Sequence, residues 1–170
     1  MTESSQSVRS LMMSKVRSRD TEPEIRVRKT AHALKLRFRL HSYSLPGTPD
    51  LVFPRHKVAL FVHGCFWHQH ENCARASKPS SNIKFWQDKF QKNRLRDARA
   101  VEGLTRLGWR VMVIWECQTR PEHRLRALMF TAFRALRMLP PASGDIQPEE
   151  TDQTTGGFTR RRTQPGRVLS

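Results

Sequence analysis

The sequence predicts a small α/β domain with a mixed β-sheet flanked by helices. Two observations support this fold class. Apolar residues recur at helical spacing in three segments, and three short apolar runs are typical of strands. Their order is helix, hairpin, a Cys/His-rich loop (residues 65–73), long helix, strand and helix, which indicates mixed layers. The 170 residues, 37% of them hydrophobic, suffice for one domain with a modest core.

The first and last helices are predicted from the same start signal. Thr21 and Glu24 have the T-x-x-E spacing of a capping box, and Thr119 and Glu122 repeat it. The apolar face of the first helix consists of Val27, Ala31, Leu34 and Phe38. The inward face of the last helix consists of Leu125, Leu128, Ala132, Leu136 and Leu139. Both segments therefore predict amphipathic helices that cover a sheet.

The strands and the long helix lie between these two segments. Residues 51–53 and 57–62 flank a polar turn at 54–56 and predict a hairpin. Residues 109–115 predict a third strand, fully buried by its composition. Residues 82–107 predict a long basic helix, and Gly108 stands where a C-terminal cap belongs. The apolar side of that helix consists of Trp86, Phe90, Val101 and Leu104.

Composition divides the chain into three parts. Residues 1–20 are polar and predict a mobile N-terminal arm, and residues 21–139 carry the predicted domain. Residues 140–170 are rich in Pro, Gly, Thr and charge, so they predict a disordered basic tail.

The charge of the chain favours a polyanionic partner. It carries 31 Lys and Arg against 15 Asp and Glu, a net charge of +16 with a pI near 11.3, which makes nucleic acid the first candidate. The longest apolar run, residues 58–62, is too short to span a bilayer, and the N-terminus lacks the apolar region of a signal peptide. We therefore expect a cytoplasmic protein.

A zinc site is predicted by the cysteines. Cys65, His70 and Cys73 have the spacing C-x4-H-x2-C, and Cys117 follows the third strand. Thiolates and an imidazole are the ligands of tetrahedral zinc, and a closed set of four indicates a structural site. Three cysteines in a reducing compartment argue against a disulfide framework. The alternative is that Cys117 is an ordinary buried cysteine.

Asp50 and His63 are predicted to meet at one end of the sheet. Asp50 begins the first hairpin strand and His63 follows the second, so antiparallel pairing brings Asp50 opposite residues 61–63. A carboxylate with strand-end carbonyls suits Mg²⁺, and a nearby histidine could take a proton from water or position a phosphate. The alternative for Asp50 is a turn or cap residue.

Large aromatic residues stand beside basic ones. Phe66 and Trp67 occupy the Cys/His-rich loop, and Trp86 begins the basic helix. Residues 74–99 contain eight Lys or Arg and two Asp, a combination that favours phosphate contacts together with stacking on bases. The alternative for all three aromatic residues is packing in the core.

Several motifs together resemble those of the very short patch repair (Vsr) endonucleases. They are RSRDTEPE, LPGTPDLVF, ALFVHGCFWHQH, FWQDKFQKN and GWRVMVIWEC. The resemblance covers roughly residues 8–137. It implies a fold related to type II restriction endonucleases and a bacterial, nucleoid-associated enzyme that acts as a monomer. It also implies nicking beside the thymine of a T·G mismatch, the product of 5-methylcytosine deamination.

The resemblance also implies residue roles. Asp50 and the backbone carbonyl of Val62 would bind Mg²⁺, His68 would be the general base, and His63 would assist at the phosphate. Glu24 would contribute from the first helix. The implied zinc ligands are Cys65, His70, Cys73 and Cys117. The implied wedges into mismatched double-stranded DNA are Phe66, Trp67 and Trp86 from the major groove and Met13 from the minor groove.

The chain departs from the family pattern at two places. Val62 stands where the best-known member has Thr, and we expect Val to be tolerated because the implied metal contact uses the backbone carbonyl. Glu71-Asn72 adds one residue between His70 and Cys73. Two other functions compete with a mismatch endonuclease. One is a non-catalytic, zinc-stabilised DNA-binding module, and the other is a ββα-metal nuclease that uses His63.

Overall fold

A four-stranded mixed sheet lies at the centre of residues 19–138, the part of the chain that the computed structural model describes. The strands, in spatial order, are β1 (Arg39–Leu40), β2 (Leu51–Phe53), β3 (Val58–His63) and β4 (Arg110–Trp115). β2 pairs antiparallel with β1 and β3, whereas β3 and β4 are parallel. The predicted mixed sheet and hairpin are confirmed. β1 was not predicted, because two residues are too few for an alternating pattern.

Three helices flank the sheet, as the sequence predicts. They are α1 (Glu22–Ala33), α2 (Ile83–Arg106) and α3 (Glu122–Met138). α1 ends before Phe38, which packs on the core from the following segment rather than from the helix. α2 is followed by Gly108 with a φ of 72°. This left-handed backbone confirms the predicted glycine cap.

The predicted capping boxes are wrong at both helices. Thr21 precedes α1 but makes no side-chain cap, because its hydroxyl donates to Glu24 Oε1 at 2.7 Å instead. Thr119 lies in a short 3₁₀ turn before α3 and is buried, and its hydroxyl donates to the carbonyl of Glu116 at 2.7 Å. In each case the threonine hydroxyl bonds an oxygen three residues away in the chain rather than capping the N-terminus of the helix.

The two faces of the sheet have different environments. One face packs against α1 and α3, where the core consists of Val27, Ala31, Leu36, Leu51, Phe53, Val58, Leu60, Ile114, Leu125, Met129 and Phe133. The other face turns Phe61, His63 and Val113 toward α2 and lines a cavity with them. β4 was predicted to be fully buried, but only Ile114 of its residues is. The reason is that β4 is an edge strand with one face on that cavity.

The predicted arm (residues 1–20) and tail (140–170) lie outside the described residues, apart from Arg19 and Asp20. Within residues 19–138, no helix combines the length and the apolar character needed to cross a membrane.

Candidate active site and metal centre

A cavity of about 470 Å³ lies between the sheet and α2, at the C-terminal end of β3. Its polar lining comes from separate parts of the chain, because α1, the segment before β2, β3, the Cys/His-rich loop and α2 all meet there. The polar and charged residues that line it are Glu24, Thr48, Asp50, His63, His68, Arg96 and Asp97. Val62 lines it as well. The cavity therefore gathers every residue to which the resemblance assigned catalysis.

Asp50 is a partly buried carboxylate with one oxygen fixed. The β2–β3 register pairs Leu51 with Leu60, so Asp50 lies opposite Phe61, as predicted. The backbone N–H of Val62 donates to Asp50 Oδ2 at 2.7 Å, while Oδ1 makes no hydrogen bond to any described residue. Burial raises the pKa of Asp50 from 3.8 to about 6, against the opposing effect of the Val62 N–H, and Glu24 raises it further. A carboxylate with a spare oxygen in such a place suits a hard cation.

His63 and His68 form a stacked pair that α2 completes with a carboxylate. Their ring centroids are 3.8 Å apart, and the rings are nearly parallel. Asp97 Oδ2 lies 2.5 Å from His68 Nδ1. Burial and the neighbouring His68 lower the pKa of His63 from 6.5 to about 4, so His63 is neutral near pH 7.

Asp97 is the candidate residue that sequence reasoning missed. It lies 29 residues from His68 in the chain and is surrounded in sequence by basic residues. The sequence held only a weak signal for Asp97, namely that residues 74–99 contain just two carboxylates, Asp88 and Asp97, among eight basic residues. An acidic residue in a basic helix that covers a histidine-rich strand end is a candidate partner for one of those histidines.

Glu24 enters the cavity as a buried carboxylate with its own donors. It accepts hydrogen bonds from the Asp20 N–H at 2.9 Å, the Thr21 hydroxyl at 2.7 Å and Arg28 Nη2 at 3.2 Å. Arg28 also contacts Asp20 Oδ1 at 2.5 Å and His41 Nε2 at 3.2 Å. Glu24 is only 4% exposed, so this network keeps its charge at a fixed position beside Asp50.

A second cluster holds the four predicted zinc ligands. The ligand atoms of Cys65, His70, Cys73 and Cys117 all lie within 4.8 Å of one another. His70 Nδ1 is 3.7 Å from Cys65 Sγ and 3.4 Å from Cys117 Sγ. Tetrahedral zinc, with bonds of about 2.0–2.3 Å, separates its ligand atoms by roughly 3.3–3.8 Å, so this donor set fits the ion. The His70 ring is stacked on Trp115, with centroids 4.1 Å apart, which fixes its orientation.

The Cys/His cluster lies where β3 and β4 end side by side. The parallel register pairs His63 with Trp115, so the loop after β3 and the turn after β4 begin next to each other. This pairing brings Cys117 to Cys65, as predicted from the sequence. Burial raises the pKa of the Cys65 thiol to about 12. Binding of a metal would therefore release a proton from this residue.

The aromatic residues form a third cluster, where the Cys/His-rich loop meets the N-terminal end of α2. Phe66 contacts Trp67 and Trp86 at centroid distances of 5.2 and 5.4 Å. The three rings are half-buried, and Phe66 also packs on Phe90 at 5.4 Å. The Lys89 ammonium lies 5.0 Å from the Trp67 ring centroid. Part of each ring thus remains accessible beside a cation, an arrangement compatible with stacking on bases.

Comparison with known proteins identifies the family. Residues 2–75 match the family model described as DNA mismatch endonuclease Vsr. The chain is 46% identical over 125 residues to the type II nicking enzyme V.XorIIP of Xanthomonas oryzae, covering 71% of this chain and 91% of that protein. It is 40% identical over 117 residues to the DNA mismatch endonuclease Vsr of Escherichia coli, covering 69% and 74%. This chain belongs to the Vsr family.

Membership in the Vsr family makes this protein a DNA endonuclease, a hydrolase of phosphodiester bonds whose substrate is DNA. It decides against the non-catalytic module and the ββα-metal nuclease. The family match extends from residue 2 to 75, and the relatives extend the similarity over more than 110 residues. Met13, predicted to contact the minor groove, lies outside the described residues. The individual roles of the site residues remain predictions.

Proposed function

We propose that this Vsr family member nicks one DNA strand beside the T of a T·G mismatch and so initiates very short patch repair at the bacterial nucleoid. The observation that carries the proposal is the convergence of Asp50, His63, His68 and Asp97 on one cavity. A carboxylate with a free oxygen, placed beside a histidine that is paired with a second carboxylate, suits hydrolysis by an activated water.

Asp50 Oδ1 and the carbonyl of Val62 would hold a magnesium ion, the hard cation that suits these oxygen donors. Bound there, Mg²⁺ would stabilise the negative charge that develops on the phosphate. Glu24 already accepts three hydrogen bonds, so it would act mainly through its charge and through a remaining lone pair that can accept from a water.

His68 would serve as the general base. Asp97 Oδ2 would accept a hydrogen bond from the Nδ1–H of His68 and so leave Nε2, on the far side of the ring, as the basic nitrogen. Nε2 is then available to take a proton from the attacking water. His63, neutral because burial lowers its pKa to about 4, would donate a hydrogen bond to a phosphate oxygen without adding a charge.

The four-ligand cluster would hold a structural zinc ion. Three ligands come from the loop (Cys65, His70 and Cys73) and the fourth, Cys117, from the turn after β4, so no position of a tetrahedral ion would be left for a water. Zinc at this point would fix the loop that carries both His68 and the aromatic pair Phe66 and Trp67.

Mismatch choice would come from the aromatic cluster. Insertion of Phe66, Trp67 and Trp86 from the major groove, with Met13 from the minor groove, requires base pairs to unstack. The cost of unstacking is lowest at a mismatch. With a single catalytic cavity in the described part of the chain, a monomer would cut one strand only.

The decisive test uses a labelled duplex with one T·G pair. We expect the purified protein with Mg²⁺ to break the strand beside the T, and to leave a C·G duplex of the same sequence intact. Equal cutting of both duplexes would contradict mismatch selection. Binding of the T·G duplex without any break, in Mg²⁺ and in Mn²⁺, would contradict the proposed reaction.

A further inference from the structure

A second depression, of about 360 Å³, adjoins the catalytic cavity along the middle of α2, at residues 92–100. The two share Gly47, Arg96 and Ala100 as lining residues. The depression therefore continues the cavity rather than standing apart from it. A molecule that reaches one of them is in contact with the rim of the other.

Three cations line this depression, which we call the basic groove (Lys92, Arg96 and Arg99). They stand at positions i, i+4 and i+7 of α2, so they project from one face of the helix. No carboxylate lines the groove. Among the described residues, Lys92 and Arg99 have no ion-pair partner, and the only acidic neighbour of Arg96 is Asp97, at 3.6 Å.

The other side of the groove is a rigid backbone segment. Gly47 has a φ of 75°, and a Cβ there would lie 2.4 Å from the Ala100 Cβ. A Cβ on Gly103 would likewise come within 3.0 Å of Pro46. The segment before β2 therefore rests directly on α2. Asp50 follows Gly47 by three residues, so the groove cations keep a fixed position relative to the catalytic carboxylate.

We propose that the basic groove binds backbone phosphates of the strand to be cut, next to the scissile phosphate. This inference rests on the proposed function, and it adds the path of one DNA strand. Lys and Arg offer donors only, and a row of them in which only Arg96 has an acidic neighbour selects an anion. The three positions span about 10 Å along the helix axis, roughly the axial length of three nucleotides of one strand.

The position of the groove gives it a function in orientation. The aromatic cluster proposed to read bases contacts the N-terminal end of α2, whereas the groove and the catalytic cavity lie along residues 92–101, in the middle of the helix. A strand held by its phosphates in the groove has its next phosphate at the Asp50 end of the cavity. The groove thus selects which strand of the duplex enters the cavity.

The first experiment measures the salt dependence of binding to the T·G duplex without Mg²⁺. Each phosphate contact contributes about 0.9 to the slope of log K against log salt concentration. We expect Lys92→Gln/Arg99→Gln to make this negative slope shallower by roughly 1.8, and Arg99→Gln alone by roughly 0.9. The matched control is Arg126→Gln/Arg134→Gln, an equal charge change at two exposed positions of α3, and it should leave the slope unchanged.

The second experiment assigns the contact to a strand. Single phosphates are replaced by neutral methylphosphonates, on the nicked strand in one series and on its complement in the other. We expect wild-type protein to lose affinity at two or three adjacent positions beside the nick, and the double variant to lose none there. Sensitive positions confined to the complementary strand, or a variant slope equal to that of the control, would overturn the proposal.

Failure of the groove and failure of the proposed function give different results. Nicking of the T·G duplex is measured separately with wild-type protein and Mg²⁺. A normal nick with an unchanged salt slope in the variant rejects the groove alone. A lowered slope in a protein that makes no nick beside the T rejects the proposed reaction and retains the groove.

Discussion

The Cys/His cluster and the catalytic cavity begin at the same strand end but are built in opposite ways. The cluster brings four soft ligand atoms within 4.8 Å of one another and is complete by itself. The cavity holds Asp50 and Glu24 as neighbouring carboxylates, and it leaves Asp50 Oδ1 without a partner among the described residues. With the proposed zinc bound the cluster would contribute stability, whereas the cavity gives up stability to keep a carboxylate oxygen open.

The largest expected effect is a loss of nicking activity from a substitution that changes only the catalytic cavity. Asp50→Ala should lower the nicking rate at least about 1,000-fold, because the carboxylate proposed to hold the catalytic metal is lost. Zinc content and T·G duplex affinity should remain at wild-type levels. Glu122→Gln, which removes an exposed carboxylate at the start of α3, is the control and should cut normally. Normal nicking by Asp50→Ala would show that the active site lies elsewhere.

The second prediction removes a ligand from the Cys/His cluster. Cys117→Ser should abolish tight zinc binding and lower the free energy of unfolding by about 4 kcal/mol, because a metal cross-link is lost. Metal analysis and denaturant unfolding measure the two effects. Cys117→His keeps a possible zinc ligand and should retain part of the metal. A fully stable Cys117→Ser protein would rule out a structural metal.

The third prediction concerns the His68–Asp97 pair. Asp97→Asn should lower kcat about 100-fold and leave KM nearly unchanged, because the amide no longer holds His68 in the reactive tautomer. The pH profile of kcat should change shape as well. Asp88→Asn, a change of the same kind at an exposed position of α2, should leave the profile intact. An equal loss in both variants would point to the charge of the helix instead.

The smallest expected effect is a gain in stability. Burial raises the pKa of Asp50 to about 6, so its ionised form destabilises the metal-free protein above that pH. Asp50→Asn should therefore stabilise the Mg²⁺-free protein by about 2 kcal/mol at pH 7.5. Below pH 6 the wild-type carboxyl becomes neutral, and the difference should shrink toward zero near pH 4. Unfolding at several pH values, with zinc present, measures it. A difference that does not change with pH would contradict a buried charge as its cause.

Local patterns account for what could be predicted from the sequence. The ligand spacing of Cys65, His70 and Cys73 and the hairpin around residues 54–56 each lie within a short segment. The position of Cys117 beside the other three ligands could be predicted with one further assumption, that the last strand lies beside the hairpin. The parallel register confirms that assumption. Elements and contacts of this kind follow from periodicity and from turn chemistry.

The features that could not be predicted depend on packing between distant segments. Asp97 reaches His68 only because α2 crosses the open face of the sheet. Arg28 faces Glu24 through ordinary i, i+4 spacing, but its contact with His41 depends on how the segment after α1 folds back. The capping boxes were wrong for a different reason, since each threonine hydroxyl bonds an oxygen only three residues away, and the T-x-x-E spacing does not distinguish that bond from a cap.

The link between Cys73 and Cys117 has a consequence for the entropy of the unfolded chain. A metal that joins the two closes a loop of residues 74–116, which contains all of α2. Closing a loop of this length removes conformational freedom worth about 4 kcal/mol from the unfolded state, as a disulfide would. With such a metal bound, both ends of the segment that carries Trp86, the basic groove and Asp97 would be held together without a disulfide.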